Sequence, residues 1–386
     1  MGIASSDGVR SASYRGANGG AEHYISVEAD GNLDHAAQIA QIVDRYAGAR
    51  AALGLAPETA IFRRIFVSDV MNHAALIRQT ALFTEPFNSP VAAALIQQPP
   101  LSGAKLALLA YHIDAPVAKR RVSKHDLVVE KNGRRHLWTT GLCAGEDGAN
   151  PSASAQTRGI FDQLIGALAS EGGTLRDNCV RTWIYLKDVD VFYQAMVESR
   201  GAIFANQGLT PETHFIASTG IEGACAHRYD LVAMDAYSLL DLDRRQVSYL
   251  NDLEWLCPTK DYNVHFERGA RIAYADRAHY FISGTASIDK NGRVVHARDA
   301  LRQLDRALDN VRALLRSGGA DLENLTHLIV YLRDPTDFVR IQDRLVDQFP
   351  DLPFLVVQGA VCRPQWLVEV EGVAIAANDA PTLPSF

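Results

Sequence analysis

Apolar residues recur at helical spacing over 37–53, 155–169 and 300–315, and each run leads through a turn into an alternating, strand-like stretch that ends in aspartate. Gly54, Gly172-Gly173 and Gly318-Gly319 stand where each helix must stop. The strand Ile184-Tyr185-Leu186-Lys187-Asp188 returns as Val330-Tyr331-Leu332-Arg333-Asp334, and Phe192 returns as Phe338, both 146 positions later. A weaker copy, Ile65-Phe66-Val67-Ser68-Asp69, lies 119 positions before the middle one. Each aspartate is a favoured N-cap, so second helices are predicted over 72–84, 189–206 and 335–348. Two further strands close each unit: 91–97 with 105–113, 214–220 with 229–237, and 354–361 with 367–376. Asn132-Gly133 and Asn291-Gly292 predict hairpin turns ahead of the first helix of the second and third units, with strand 135–141 after the one and 279–288 before the other.

The chain therefore reads as one α+β unit written three times, each a mixed β-sheet covered by two helices. Residues 1–20, rich in Gly, Ser and Ala, predict a flexible leader; 21–120 form a degenerate first unit, 121–244 the second and 245–386 the third, with 241–252 as a polar connector.

Composition narrows the function classes. With 386 residues, 47% hydrophobic and 22% charged, the chain is of the globular kind. A net charge of −7 without clustered Lys and Arg argues against nucleic acid. No apolar run spans a membrane and no signal segment is evident, so no membrane partner and a cytoplasmic location are expected. Cys143, Cys179, Cys225, Cys257 and Cys362 lack a Cys-x-x-Cys pair, and His136, His214, His265 and His279 lack ligand spacing; reduced thiols and no metal site are expected. No dinucleotide, Walker or Gly-x-Ser-x-Gly motif is present, so no cofactor is expected. The partner is then a small molecule, with homo-oligomerisation left open by exposed sheet edges.

The chemistry gathers near the C-terminus. On a strand, Leu367, Glu369 and Glu371 share one face, so two carboxylates lie within about 7 Å and push at least one pKa upward. The alternative is a wet sheet face or a structural ion pair. The repeat separates the two acids: Glu369 corresponds to Ala233 and Ala107, whereas Glu371 has an acidic counterpart in Asp235. One interface of three is expected to be active. Arg363 is the first candidate for an anion clamp, with Arg268 and Arg181 as further donors, each against a structural ion pair. Thr285 and Ser287 offer hydroxyls to a developing oxyanion or simply bond within a turn. Trp183, Tyr262 and Tyr331 stack on a flat substrate or belong to the core. Cys362 reads as pocket wall, since no base stands at a recognisable spacing.

The order of helix, Gly-Gly turn, Asp-terminated strand, helix and the strand Leu367-Val368-Glu369-Val370-Glu371-Gly372 resembles the Rid (YjgF-like) superfamily, whose small subunits form trimers with active sites between neighbours. The resemblance implies an internal pseudo-trimer. From about residue 125 onward, Arg181-Thr182-Trp183, Phe266-Glu267-Arg268-Gly269-Ala270, Ser283-Gly284-Thr285-Ala286-Ser287 and Cys362-Arg363 before the acidic strand are similar to the chorismatases. That similarity implies Glu369 as catalytic acid, Cys362 as a substrate-lining residue and Thr285, Ala286 and Ser287 as a pocket motif. Leu355 stands where Rid imine deaminases carry a carboxylate-binding arginine. The expected function is acid/base chemistry on an unsaturated carboxylate or enolic, pre-aromatic molecule, by enolpyruvyl removal or by ring-forming cyclisation. A Rid-type enamine/imine deaminase and a non-catalytic metabolite-binding module are the alternatives.

Overall fold

The structure, a computed structural model, describes residues 3–6 (backbone), 8–17, 20–84, 89–145, 148–224, 227–259 and 264–386. Tyr262 and Cys225 lie outside these residues. Unit one contains β1 (Ile3–Ser6), β2 (Val9–Arg15), β3 (Ala21–Glu28), α1 (His35–Ala52), β4 (Ala60–Val67), α2 (Val70–Arg78), β5 (Ala92–Gln97) and β6 (Leu106–Asp114). Unit two contains β7 (Ala118–Arg121), β8 (Asp126–Lys131), β9 (Arg134–Cys143), α3 (Ala153–Ser170), α4 (Leu175–Asn178), β10 (Cys179–Leu186), α5 (Val189–Asn206), β11 (Ala217–Glu222) and β12 (Val232–Leu239). Unit three contains β13 (Val247–Tyr249), β14 (Gly269–Ala273), β15 (Arg277–Ala286), α6 (Ala300–Ser317), β16 (Leu325–Leu332), α7 (Phe338–Gln348), β17 (Phe354–Gln358) and β18 (Val368–Ala377).

Each unit builds a six-stranded mixed sheet in the same order: β1-β2-β3-β6-β4-β5, β7-β8-β9-β12-β10-β11 and β13-β14-β15-β18-β16-β17. The local causes repeat with it. Gly54, Gly172 and Gly319 adopt φ of 69°, 79° and 87° just past the first helices, where a side chain would be strained. The next amide then bonds back to a helix carbonyl: Leu55 N–H to Arg50, Gly173 N–H to Leu168 and Ala320 N–H to Leu315, at 2.8–2.9 Å. Asp69 and Asp188 cap α2 and α5, accepting from the backbone amides of Asn72 and Val191, both at 3.2 Å. Asp334 caps a short turn that leads into α7.

Strand alternation gives each sheet two buried faces. The outer face packs on the unit's own helices, as Ile160, Phe161 and Leu164 of α3 do against Leu137, Ile184 and Met234. Inner faces of all three sheets meet one another, and Phe62, Tyr111, Trp138, Trp183, Tyr185, Tyr237, Phe281 and Tyr331 share one apolar cluster. This is an internal pseudo-trimer, with the helices outside and the sheets around a common centre. We propose that each sheet with its helices is one domain, divided at the connectors 115–117 and 240–246.

Three expectations are corrected. The stretch expected to be a flexible leader includes β2, paired antiparallel with β3 from Val9↔Val27 to Arg15↔Ala21; its backbone groups are satisfied by the sheet despite a Gly- and Ser-rich composition. Asn132-Gly133 does turn the β8–β9 hairpin, both at positive φ as a two-residue loop demands. Asn291-Gly292, however, closes only the single bridge Ile288↔Val294, and the hairpin partner of β15 is β14, which precedes it. The second helix of unit one also ends early, at Arg78. No helix among the described residues is long and apolar enough to cross a membrane.

Candidate active site

A cavity of about 270 Å³ opens between units two and three. One wall comes from α5 (Tyr193, Gln194, Val197, Arg200) and β11 (Ser218, Thr219, Gly220); the other comes from β15 (Gly284, Ala286), β18 (Glu369) and the 359–367 loop (Cys362, Arg363, Trp366). Arg268 and Phe266 line it as well.

Glu369 is 6% exposed. Burial first, and then the neighbouring Glu371, push its carboxyl up to about 8, against the pull of Arg181 and Arg268. A carboxyl raised so far keeps its proton at neutral pH. Room for it depends on Gly284, which lies beside it on β15: a Cβ at that position would overlap Glu369 Oε1 and come within 3.1 Å of Thr219 Cγ2. A register shift in the β15–β18 pairing between Ile282 and Thr285 falls at the same place.

Glu371, on the same strand face, is the opposite case. Its carboxylate is 2% exposed and takes Arg64 Nη1 at 3.2 Å, Arg181 Nη2 at 2.6 Å, the Tyr331 hydroxyl at 3.0 Å and the Thr219 hydroxyl. Arg64 also lies 3.7 Å from Asp235, which accepts from the Tyr185 hydroxyl at 3.1 Å and the Gly141 amide at 2.8 Å. Residues of all three units thus meet in one buried polar network at the centre. Arg64 and Arg181 both sit over the Trp183 ring, at 4.5 and 4.9 Å.

The structure divides the expected site residues into two groups. Glu369, Arg363, Cys362, Ala286 and Arg268 line the cavity together. Arg181, Trp183, Tyr331, Thr285 and Ser287 do not. Arg181 donates to Glu371, the Thr219 hydroxyl and the Thr182 carbonyl, Tyr331 donates to Glu371, and Trp183 packs beneath two guanidinium groups. The Thr285 hydroxyl donates to the Ser283 carbonyl at 2.9 Å and that of Ser287 to the Val295 carbonyl at 2.8 Å. None of the five is placed for substrate contact: Arg181, Trp183 and Tyr331 belong to the polar network at the shared centre, and Thr285 and Ser287 alternate with the cavity-lining Gly284 and Ala286 and so point to the other side of their strand. Burial pushes the Cys362 thiol up to about 12, with Glu369 adding to the effect; a thiol so held is a wall and not a nucleophile.

The unit-two wall has no counterpart among the residues expected from the sequence. Arg200 is 2% exposed, burial lowers its pKa, and among the described residues its Nε and Nη2 have no hydrogen-bond partner. A charge inside the apolar stripe Met196–Arg200–Phe204 of α5 is the signal that could have exposed it. The expected Leu355 comparison also changes strand. The penultimate strand at this cavity is β11, where Thr219 pairs with Trp183 as Leu355 pairs with Ile329. Neither residue is arginine. Among the described residues one group, Cys143, His227 and Asp230, has the geometry to hold a metal, and it lies away from this cavity.

Comparisons with known proteins find relatives of part or most of the chain. The family described as Endoribonuclease L-PSP matches residues 271–376, most of unit three. The 3-aminoacrylate deaminase RutC of Acinetobacter baylyi is 30% identical over 96 residues, covering 24% of this chain and 76% of that protein. A solved chorismatase superposes with a TM-score of 0.60 at 19% identity, over 82% of this chain and 93% of its own. RidA from an Antarctic Psychrobacter species matches 33% of this chain and 99% of its own at 18% identity, with a TM-score of 0.29.

Proposed function

Given that the chain belongs to the Rid superfamily, we propose that it is a cofactor-independent enzyme in which Glu369, protonated, delivers a proton to an anionic, unsaturated small molecule. The observation that carries this reading is one buried, protonated carboxyl facing a cavity that three guanidinium groups, Arg200, Arg268 and Arg363, also line. Such a lining favours a ligand with more than one carboxylate. The Arg363 guanidinium lies 4.6 Å over the Trp366 ring and donates to the Gly292 carbonyl at 3.1 Å, which fixes its direction.

On an enolpyruvyl ether the reaction begins with carbon protonation. The Glu369 proton passes to the terminal methylene carbon, and positive charge develops on the ether-bearing carbon. Water adds there and loses a proton to the Glu369 carboxylate. The hemiketal then breaks its C–O bond to release pyruvate and an alcohol, which takes the remaining proton. On a polyenolic substrate the same acid/base pair would protonate one carbon and remove a proton elsewhere during ring closure. Likeness to the solved chorismatase supports the first outcome at the level of fold. The experiment is incubation of the full chain with chorismate and with other enolic dicarboxylates, followed by mass spectrometry and a pyruvate assay. Pyruvate release supports cleavage, an isomeric product supports cyclisation, and no turnover of any member overturns the reading.

The likeness to RutC favours imine deamination as the second reading. Ammonia release from an enzymatically generated imino acid distinguishes it. For the principal reading, Arg200→Ala is expected to raise KM roughly tenfold or more, as befits loss of a charge-assisted hydrogen bond of about 1.5–3 kcal/mol. Steady-state kinetics check this, with kcat expected to change less than KM.

A further inference from the structure

The corresponding cleft between units one and two has lost its acid and gained a different set of groups. In unit three Ala286 pairs with Glu369 across β15 and β18; in unit two the matching pair is Cys143 with Ala233 across β9 and β12. The loop between β11 and β12, counterpart of the loop that carries Cys362 and Arg363, here supplies His227 and Asp230. Cys143 Sγ lies 3.4 Å from His227 Nδ1, which lies 3.1 Å from Asp230 Oδ2, and the three atoms are all within 4.8 Å of one another.

A nucleophilic relay would place the thiol and the carboxylate on opposite ring nitrogens, so that one accepts the proton while the other orients the ring. Here the same nitrogen, Nδ1, faces both. Sulfur, nitrogen and oxygen converge on a point, as ligands do. A tetrahedral ion with metal–sulfur and metal–nitrogen bonds of about 2.3 and 2.0–2.1 Å needs ligand–ligand edges of about 3.3–3.6 Å, and the two edges at His227, 3.4 and 3.1 Å, lie near that range. We propose that Cys143, His227 and Asp230 bind a divalent transition-metal ion of the zinc class. A thiolate and an imidazole beside one carboxylate favour such an ion over magnesium or calcium.

Asp230 is 2% exposed, and among the described residues its Oδ1 has no hydrogen-bond partner. Three protein ligands leave a fourth position for water or an exogenous ligand. His227 also borders a cavity of about 540 Å³ lined by Lys187, Arg228, Glu222 and Gln97, which gives an exogenous ligand a route to the ion. Sequence spacing could not reveal this site, since Cys143 and His227 are 84 residues apart.

The test uses the full chain, stripped with a chelator and titrated with Co(II), then with Zn(II) as competitor. One equivalent of cobalt is expected to bind, with a thiolate-to-metal charge-transfer band and the d–d bands of a tetrahedral ion. Cys143→Ser is expected to abolish the charge-transfer band, and His227→Ala or Asp230→Asn to weaken binding at least tenfold. Thermal unfolding without metal serves as the control for folding, and Cys143→Ala replaces Cys143→Ser should the latter not fold. Absence of bound cobalt, binding without the charge-transfer band, or a band that persists without the Cys143 thiol would overturn the proposal.

Discussion

Replacing Glu369 by glutamine is expected to lower kcat by a factor of roughly 10² or more while leaving the fold intact, in line with the usual contribution of a positioned general acid. The amide keeps the shape and the burial of the side chain but has no proton of suitable acidity to give. Folding should not suffer, because Glu369 carries a pKa raised to about 8, with burial as the leading cause; it is a group the cavity disfavours as an anion. Wild-type activity that depends on the protonated form should be high below that value and fall as pH rises through it. Steady-state kinetics on wild type and Glu369→Gln, with circular dichroism on both, measure the effect. A variant with near wild-type kcat would remove Glu369 from the mechanism.

The second large effect is expected at Glu371, two residues further along the same strand. Its carboxylate joins Arg64 of unit one, Arg181 and Thr219 of unit two and Tyr331 of unit three. Glu371→Ala removes the carboxylate that both buried guanidinium groups contact; Arg64 keeps Asp235 at 3.7 Å, and Arg181 loses its ion-pair partner. Breaking one partner of a buried charge pair typically destabilises by about 3–5 kcal/mol, and a loss of that order is expected in denaturant unfolding. A loss below about 1 kcal/mol would mean that the centre relaxes or hydrates around the missing group. Adjacent glutamates are thus opposed in kind: one is held neutral by burial beside a cavity, the other is compensated as an anion at the junction of the units.

Much of this was legible in the chain. The repeated helix, glycine stop, strand and aspartate cap each rest on short-range causes, and so the three units could be read without any knowledge of contacts. The asymmetry of Glu369 against Ala233 and Ala107 also followed from the repeat, and in the structure Glu369 lines the cavity between units two and three. What escaped was long-range. Val9–Arg15 is ordered by pairing with β3, which its small and polar composition does not announce. Arg181, Trp183 and Tyr331 resemble ligand-binding residues by type, and only the convergence of three inner sheet faces shows that they serve the centre. Arg200 belongs to one unit and the acid to the next, so no local pattern links them.

The protonation of Glu369 in the folded chain can be measured directly. Infrared difference spectroscopy across a pH titration, comparing wild type with Glu369→Gln, isolates the carbonyl stretch of a protonated carboxylic acid. The expected band is present at neutral pH, is lost with a midpoint near 8 and is absent from the variant. A Glu369 carboxyl already ionised at about pH 5, as for an ordinary glutamate, would contradict that expectation.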